Sequence, residues 1–275
     1  MQILPDQFID IERERISVRS FVASHAVAGP RPTIVLLHEG LGSIAMWKAF
    51  PQQLADITGC RVLAYDRPGH GRSPLRDFGP LDLDYEAFVV LPKLLQVLAI
   101  TRPILLGHSD GGTIALMAAG RIDPTSVIVE AAHVFMEDAM RGGIARLRAE
   151  WGQGKFQRSL ARYHGPDVQR MFERWCSTWL SQDFERWAII DHLHAISAPV
   201  LAIQGVKDDF GTPEQLALIA RNCGGTVRTV LLPDCGHVPH HERPLQVLDL
   251  VQMEIFAAST PLAFPSAIPG MAAGG

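Results

Sequence analysis

Short apolar-rich runs alternate along the chain with longer segments of helical spacing. The runs fall near 33–37, 61–65, 103–106, 126–130, 199–204 and 227–232. Their length and nearly continuous apolar character suit strands covered on both faces, as in a parallel sheet. Helical patterns lie near 46–57, 84–99, 111–120, 213–222 and 241–257. Strand and helix taking turns in this way predicts an α/β architecture with helices on both faces of the sheet. Residues 9–24 instead alternate between apolar and polar, which predicts an opening antiparallel hairpin. With it the mostly parallel sheet reaches eight strands.

The interval from His133 to His194 breaks the rhythm. It is too long for one crossover helix and reads as several, which predicts a helical cap inserted after the sixth strand. The core then comprises residues 1–132 and 195–258, the cap 133–194, and a Pro-, Gly- and Ala-rich stretch, 259–275, forms a flexible tail. Trp151, Trp175, Trp179 and Trp187, four of the five tryptophans, lie in the insert. Phe172, Trp175 and Trp179 share one helical face. Such a stripe serves as the insert's own core or as the ceiling of a pocket. The clustering of tryptophans favours a ceiling suited to apolar acyl or aryl groups.

Candidate chemistry centres on Gly107-His108-Ser109-Asp110-Gly111, between the run 103–106 and the small-residue helix that follows. A strand that turns abruptly into a helix lifts the turn residue clear of the sheet, and flanking glycines remove side chains that would collide. This frame fits Ser109 as nucleophile and not Asp110, because the residue two before Asp110 is His108. A nucleophilic serine needs a base, and the base an orienting acid. Downstream, Asp208 and Asp209 follow the strand near 199–204, and Asp208 stands three residues after Gly205, which favours it as the acid. His237 lies on the loop after the next strand and is the candidate base.

The developing oxyanion needs backbone donors. The N–H of Asp110 is one candidate. The loop His38-Glu39-Gly40-Leu41-Gly42-Ser43 offers the second, from Gly40 or Leu41, with Gly40 preferred. A pocket above these groups would be bordered by Glu39, Leu41, His133, Trp175, Trp179 and Val238. His108, His240 and His241 read as structural. The glycines and proline of Asp66-Arg67-Pro68-Gly69-His70-Gly71-Arg72-Ser73 read as a tight structural crossover.

The loop 37–43, the crossover 65–73, the elbow 107–111, Gly205 to Asp208, and Gly236-His237-Val238-Pro239 together resemble the α/β-hydrolase superfamily over residues 12–257. Within it the chain is similar to small-ester carboxylesterases, enol-lactonases and meta-cleavage C–C hydrolases. The resemblance implies the α/β-hydrolase fold and hydrolysis through a Ser109–His237–Asp208 triad, with a small carboxylic ester as the leading substrate class. C–C bond, enol-lactone, thioester or amide cleavage could use the same triad. A non-hydrolytic enzyme or a small-molecule receptor on this fold is a more distant alternative.

Composition narrows the partners. The 275 residues are 47% hydrophobic, enough for a substantial core in one domain with an insert. A net charge of −4 argues against a nucleic-acid surface. From Val134 to Ile190 nine basic residues face seven acidic ones, so the insert carries +2 and the remainder −6. Most of these charges read as solvated helix faces, though an insert arginine could meet a substrate carboxylate. No apolar stretch is long enough to span a membrane, and no signal peptide is evident. Cys60, Cys176, Cys223 and Cys235 show neither metal-site spacing nor a disulfide framework. The expectations are therefore a cytoplasmic enzyme without cofactor or metal, acting on a small ester-like molecule as monomer or homodimer.

Overall fold

A computed structural model describes residues 6–74 and 80–259. Strands β1 (Gln7–Ile11) and β2 (Glu14–Phe21) form the opening hairpin. They are followed by β3 (Ile34–Leu37), β4 (Val62–Tyr65), β5 (Ile104–His108), β6 (Ser126–Glu130), β7 (Val200–Gly205) and β8 (Val227–Leu232). All eight lie in one sheet of order β1-β2-β4-β3-β5-β6-β7-β8. The first two pairings, β1 with β2 and β2 with β4, are antiparallel; every later one is parallel.

Alternation along the strands divides the core between the two faces of the sheet. Val35, Leu37, Leu63, Tyr65 and Leu105 pack on one side with Ile114 and Leu116 of the helix Asp110–Ile122. Ile34, Leu36, Val62, Ala64 and Ile104 pack on the other. There they meet Leu54 of the helix Phe50–Thr58 and Val247 and Val251 of Pro244–Ser259. Every residue of β3 through β7 is buried, which accounts for their unbroken apolar runs.

Prolines reshape three of the expected helices. The pattern at 46–57 divides into a 3-10 turn, Ile44–Trp47, and the helix Phe50–Thr58, with Lys48 at φ 53° between them. Pro51 sits in the first turn, where its missing N–H has no intrahelical bond to make. The pattern at 84–99 becomes Leu83–Tyr85, a π turn at Glu86–Val90, and Leu91–Val97. Pro92 cannot donate to the preceding turn, and the N–H of Leu91 reaches back five residues to Glu86 O. Pro244 similarly separates a short turn, Pro239–Glu242, from the last helix.

Between β6 and β7 the chain builds the helices Asp138–Trp151, Lys155–His164, Val168–Trp179 and Ile190–Leu193. The two strands pair in parallel despite this long excursion. Ser259 ends the last helix; the rest of the expected tail, 260–275, lies outside the described residues. Among the described residues no helix is long and apolar enough to cross a membrane.

Candidate active site

Strand β5 runs directly into the helix Asp110–Ile122, and Ser109 is the single residue between them, at φ 52° and ψ −121°. This backbone region is unfavourable for a residue with a side chain and persists only where surrounding structure enforces it. Enforcement comes from packing: a Cβ on Gly107 would strike the Gly111 backbone, and one on Gly111 the carbonyls of Leu37 and His38. The Ser109 N–H donates to Glu130 O over 2.8 Å.

His237 Nε2 lies 3.0 Å from Ser109 Oγ, and His237 Nδ1 lies 2.8 Å from Asp208 Oδ1. With Nδ1–H donating to the carboxylate, Nε2 is left as an acceptor for the serine hydroxyl. Asp208 Oδ1 also accepts the Phe210 N–H over 2.8 Å. Burial works to raise the Asp208 pKa, but His237 and the Phe210 N–H outweigh it, and the carboxyl is held below its ordinary value. The neighbouring Asp209 is solvent-exposed.

Behind His237 a second histidine fixes its backbone. His108 Nε2 donates to His237 O over 2.7 Å. His108 Nδ1 lies 3.5 Å from Glu39 Oε2. Burial opposes charge on both groups, yet each favours the other's ion, so the His108 pKa is raised and that of Glu39 lowered. Glu39 thereby ties the 38–43 loop to the loop carrying His237. Glu130 does similar work for His240, accepting from its N–H and its Nδ1 over 3.1 and 2.7 Å.

The N–H of Asp110 begins its helix, so no intrahelical acceptor exists for it. Among the described residues the N–H groups of Gly40 and Leu41 donate to no backbone acceptor either. Their carbonyls are held. His70 Nε2 donates to Gly40 O over 2.8 Å. His164, at the end of an insert helix, takes the Gly71 N–H at Nδ1 and donates from Nε2 to Leu41 O, each over 3.0 Å.

Arg67 braces the same loop from below. Its fully buried guanidinium forks onto Glu86 at 2.7 and 3.0 Å. It also reaches His38 O and Glu39 O at 3.4 and 3.3 Å, while its backbone N–H donates to His38 Nε2 over 2.9 Å. The crossover is therefore structural in a specific sense, since it fixes the carbonyls on which the loop's amides depend. Asp110 joins this network: its Oδ2 accepts from the indoles of Trp175 and Trp179 over 3.2 and 3.4 Å and lies 3.7 Å from Arg67 Nη1. Burial raises the Asp110 pKa against the pull of Arg67 and the two indoles.

A cavity of about 260 Å³ opens over Ser109 and His237. Glu39, Leu41, His133, Trp175 and Val238 border it. The insert adds Met140, Ile144, Leu147 and Phe156. Trp179 is not among its lining residues; it is fully enclosed, packs edge-on against Trp187 and turns its N–H to Asp110. Phe172 is likewise internal, stacked on Trp151 with ring centres 3.7 Å apart. One face of the tryptophan stripe thus divides into pocket wall at Trp175 and insert core at Phe172 and Trp179. A larger cavity of about 360 Å³, near Arg13 and the 80–86 segment, is lined by neither Ser109, Asp208 nor His237.

A mostly parallel sheet with a serine elbow at the end of its fifth strand defines an α/β hydrolase, and comparison with known proteins agrees. The alpha/beta hydrolase family model matches residues 34–250; the chain belongs to that family and is a hydrolase. It is 26% identical over 253 residues to the pimeloyl-acyl-carrier protein methyl ester esterase of Aeromonas salmonicida (strain A449), covering 82% of this chain and 95% of that one. The enol-lactonase from Burkholderia xenovorans LB400 shares the fold at a TM-score of 0.71 and 20% identity, over 91% of this chain and all of its own. A thermophilic esterase from Thermogutta terrifontis does so at 0.69 and 21%, over 94% of this chain and all of its own.

Proposed function

We propose that the protein is a serine hydrolase that cleaves small carboxylic esters carrying an apolar acyl or aryl group. One observation carries the reading: the Ser109–His237–Asp208 relay, at 3.0 and 2.8 Å, opens into a cavity walled mainly by apolar side chains. The methyl ester esterase of A. salmonicida supports the reaction type by its similarity along most of both chains.

In this reading His237 takes the Ser109 proton as Oγ attacks the ester carbonyl, and Asp208 stabilises the imidazolium that forms. The carbonyl electrons move onto oxygen, where the N–H groups of Asp110 and Gly40 receive the charge. Collapse of the tetrahedral intermediate breaks the C–O bond, and His237 returns the proton to the departing alcohol. Water then attacks the acyl-enzyme with His237 as base, releasing the acid and restoring Ser109. Residues 133–194 act as a cap whose Trp175 and Met140 help size the acyl group.

A fluorophosphonate labelling experiment tests the assignment, followed by a p-nitrophenyl ester chain-length series. We expect one phosphonyl adduct on Ser109, its loss in Ser109→Ala, and turnover that favours short to medium acyl chains. Full turnover by Ser109→Ala would overturn the proposal.

A further inference from the structure

The reaction scheme leaves one polar group in the cavity without a task. His133 borders the cavity beside Ser109 and His237, and the residue is only 2% exposed. A single hydroxyl clamps its backbone: Thr113 Oγ1 donates to His133 O over 2.7 Å and accepts from His133 N over 3.3 Å. The imidazole lies nearly parallel to that of His237, with ring centres 5.7 Å apart and 22° between planes. Its position is therefore set by backbone and by stacking. Among the described residues, its Nδ1 has no hydrogen-bond partner.

Buried polar atoms without partners are rare in folded proteins, and each one calls for a reason. A polar ring held rigid against substrate space has such a reason if the substrate completes its hydrogen bonding. Burial, helped by the nearby His237, pulls the His133 pKa down to about 3 against the opposing influence of Asp208. The ring is thus neutral through the physiological range: it can donate or accept a hydrogen bond but brings no charge to offset the desolvation of a substrate carboxylate, which favours an uncharged oxygen in this apolar cavity. Met140, Ile144, Leu147, Phe156 and Leu160 on the insert side offer no hydrogen-bond donor.

We infer that His133 is a specificity-determining residue that hydrogen-bonds an uncharged oxygen substituent, a hydroxyl or a carbonyl, close to the scissile carbonyl of an otherwise apolar ester. This deepens the proposed function and rests on it. The substrate class becomes oxygenated short-chain esters.

Hydrolysis of ethyl butyrate, ethyl 3-hydroxybutyrate and ethyl acetoacetate by the wild type, His133→Phe, His133→Gln and Ser109→Ala tests the inference, with thermal melting to establish folding. The wild type should prefer at least one oxygenated ester over ethyl butyrate by about tenfold in kcat/KM, the effect of one good hydrogen bond. That preference should collapse in His133→Phe, chiefly through a higher KM for the oxygenated ester, and survive in part in His133→Gln. The favoured ester, hydroxy or keto, identifies the group bound. Equal treatment of all three esters by the wild type, or a preference that survives His133→Phe, overturns the inference. Should the phenylalanine variant not fold, His133→Leu carries the same expectation. Hydrolysis retained in Ser109→Ala overturns the underlying reading instead, and no hydrolysis of any ester by the wild type overturns both.

Discussion

Trp175 Nε1 donates to Asp110 Oδ2 over 3.2 Å, joining the insert to the residue that directly follows Ser109. The contact leaves no room beside it. A Cβ on Gly40 would overlap the Trp175 indole nitrogen and lie 2.7 Å from Asp110 Oδ2. The loop, the elbow and the insert therefore share one tightly filled junction.

Gly40→Ala should disturb all three partners. If its amide serves the oxyanion, kcat falls by about 10²–10³-fold, the range for loss of one such donor. Overpacking at the junction should cost about 1–3 kcal/mol as well. Steady-state kinetics alongside urea unfolding separates the two effects.

Ser109→Ala and Ser109→Gly should both lower kcat by about 10⁵-fold or more. They should differ in stability. The backbone at φ 52°, ψ −121° suits glycine, so the glycine variant should be about 1 kcal/mol more stable than the alanine one. Equal unfolding midpoints would mean that the elbow stores no strain.

Asp208→Asn should lower kcat by about 10⁴-fold, because an amide no longer favours the His237 tautomer that accepts the serine proton. Exposed Asp209 is the internal control, and Asp209→Asn should stay within about twofold of the wild type. Reversal of this order would move the acid to Asp209.

Arg67→Met should destabilise the protein by about 3–5 kcal/mol, since it strands the buried Glu86 carboxylate beside Asp110. Arg67→Lys should recover little, because an ammonium cannot reproduce the two-point fork on Glu86. Chemical denaturation of the three proteins at one pH measures this.

Stability should fall as the solution is acidified below about pH 6.5. Burial holds both His38 and His133 near a pKa of about 3 in the folded state, far below the 6.5 of a solvated histidine. Between those values the unfolded chain binds protons that the folded chain does not, so unfolding is favoured as pH drops. The two together contribute a slope of about 3 kcal/mol per pH unit across pH 5 to 4, all of it absent above pH 7.5. Urea midpoints at pH 7.5, 6, 5 and 4 would reveal it. His108, whose pKa Glu39 raises against burial, acts in the opposite sense but only above about pH 6.5, where its folded-state proton is lost as pH rises, and so leaves the slope at pH 5 to 4 unchanged.

Local pattern accounts for much of what could be anticipated. Strands β3 through β7 are legible because burial on both faces leaves continuous apolar runs, the hairpin because apolar and polar positions alternate, and the largely exposed β8 only as a short apolar-rich run. The elbow is legible because a bend this tight leaves a glycine signature around Ser109. The breaks at Lys48 and Glu86 are not legible in the pattern, because helical periodicity continues across both despite Pro51 and Pro92. The bonding partners of Arg67, Glu86 and His164 are illegible for a different reason. Arg67 bonds the backbone of His38 from 29 positions away, and His164 meets Leu41 from 123 away. Side-chain reach across such separations leaves no trace in spacing. Trp179 shows the limit of a helical stripe, which says which residues share a face but not which of them a substrate would touch.

The distance in sequence between Ser109 and His237 also has a consequence for biosynthesis. The two are 128 residues apart, and β7 and β8, which precede Asp208 and His237, are the last two strands in chain order. At roughly 5–20 residues per second, the ribosome makes the serine on the order of ten seconds before its partner imidazole. In the proposed mechanism, a nascent chain therefore has no base for Ser109 until nearly the whole chain has been made. Hydrolytic competence, in that reading, arrives only near the end of synthesis.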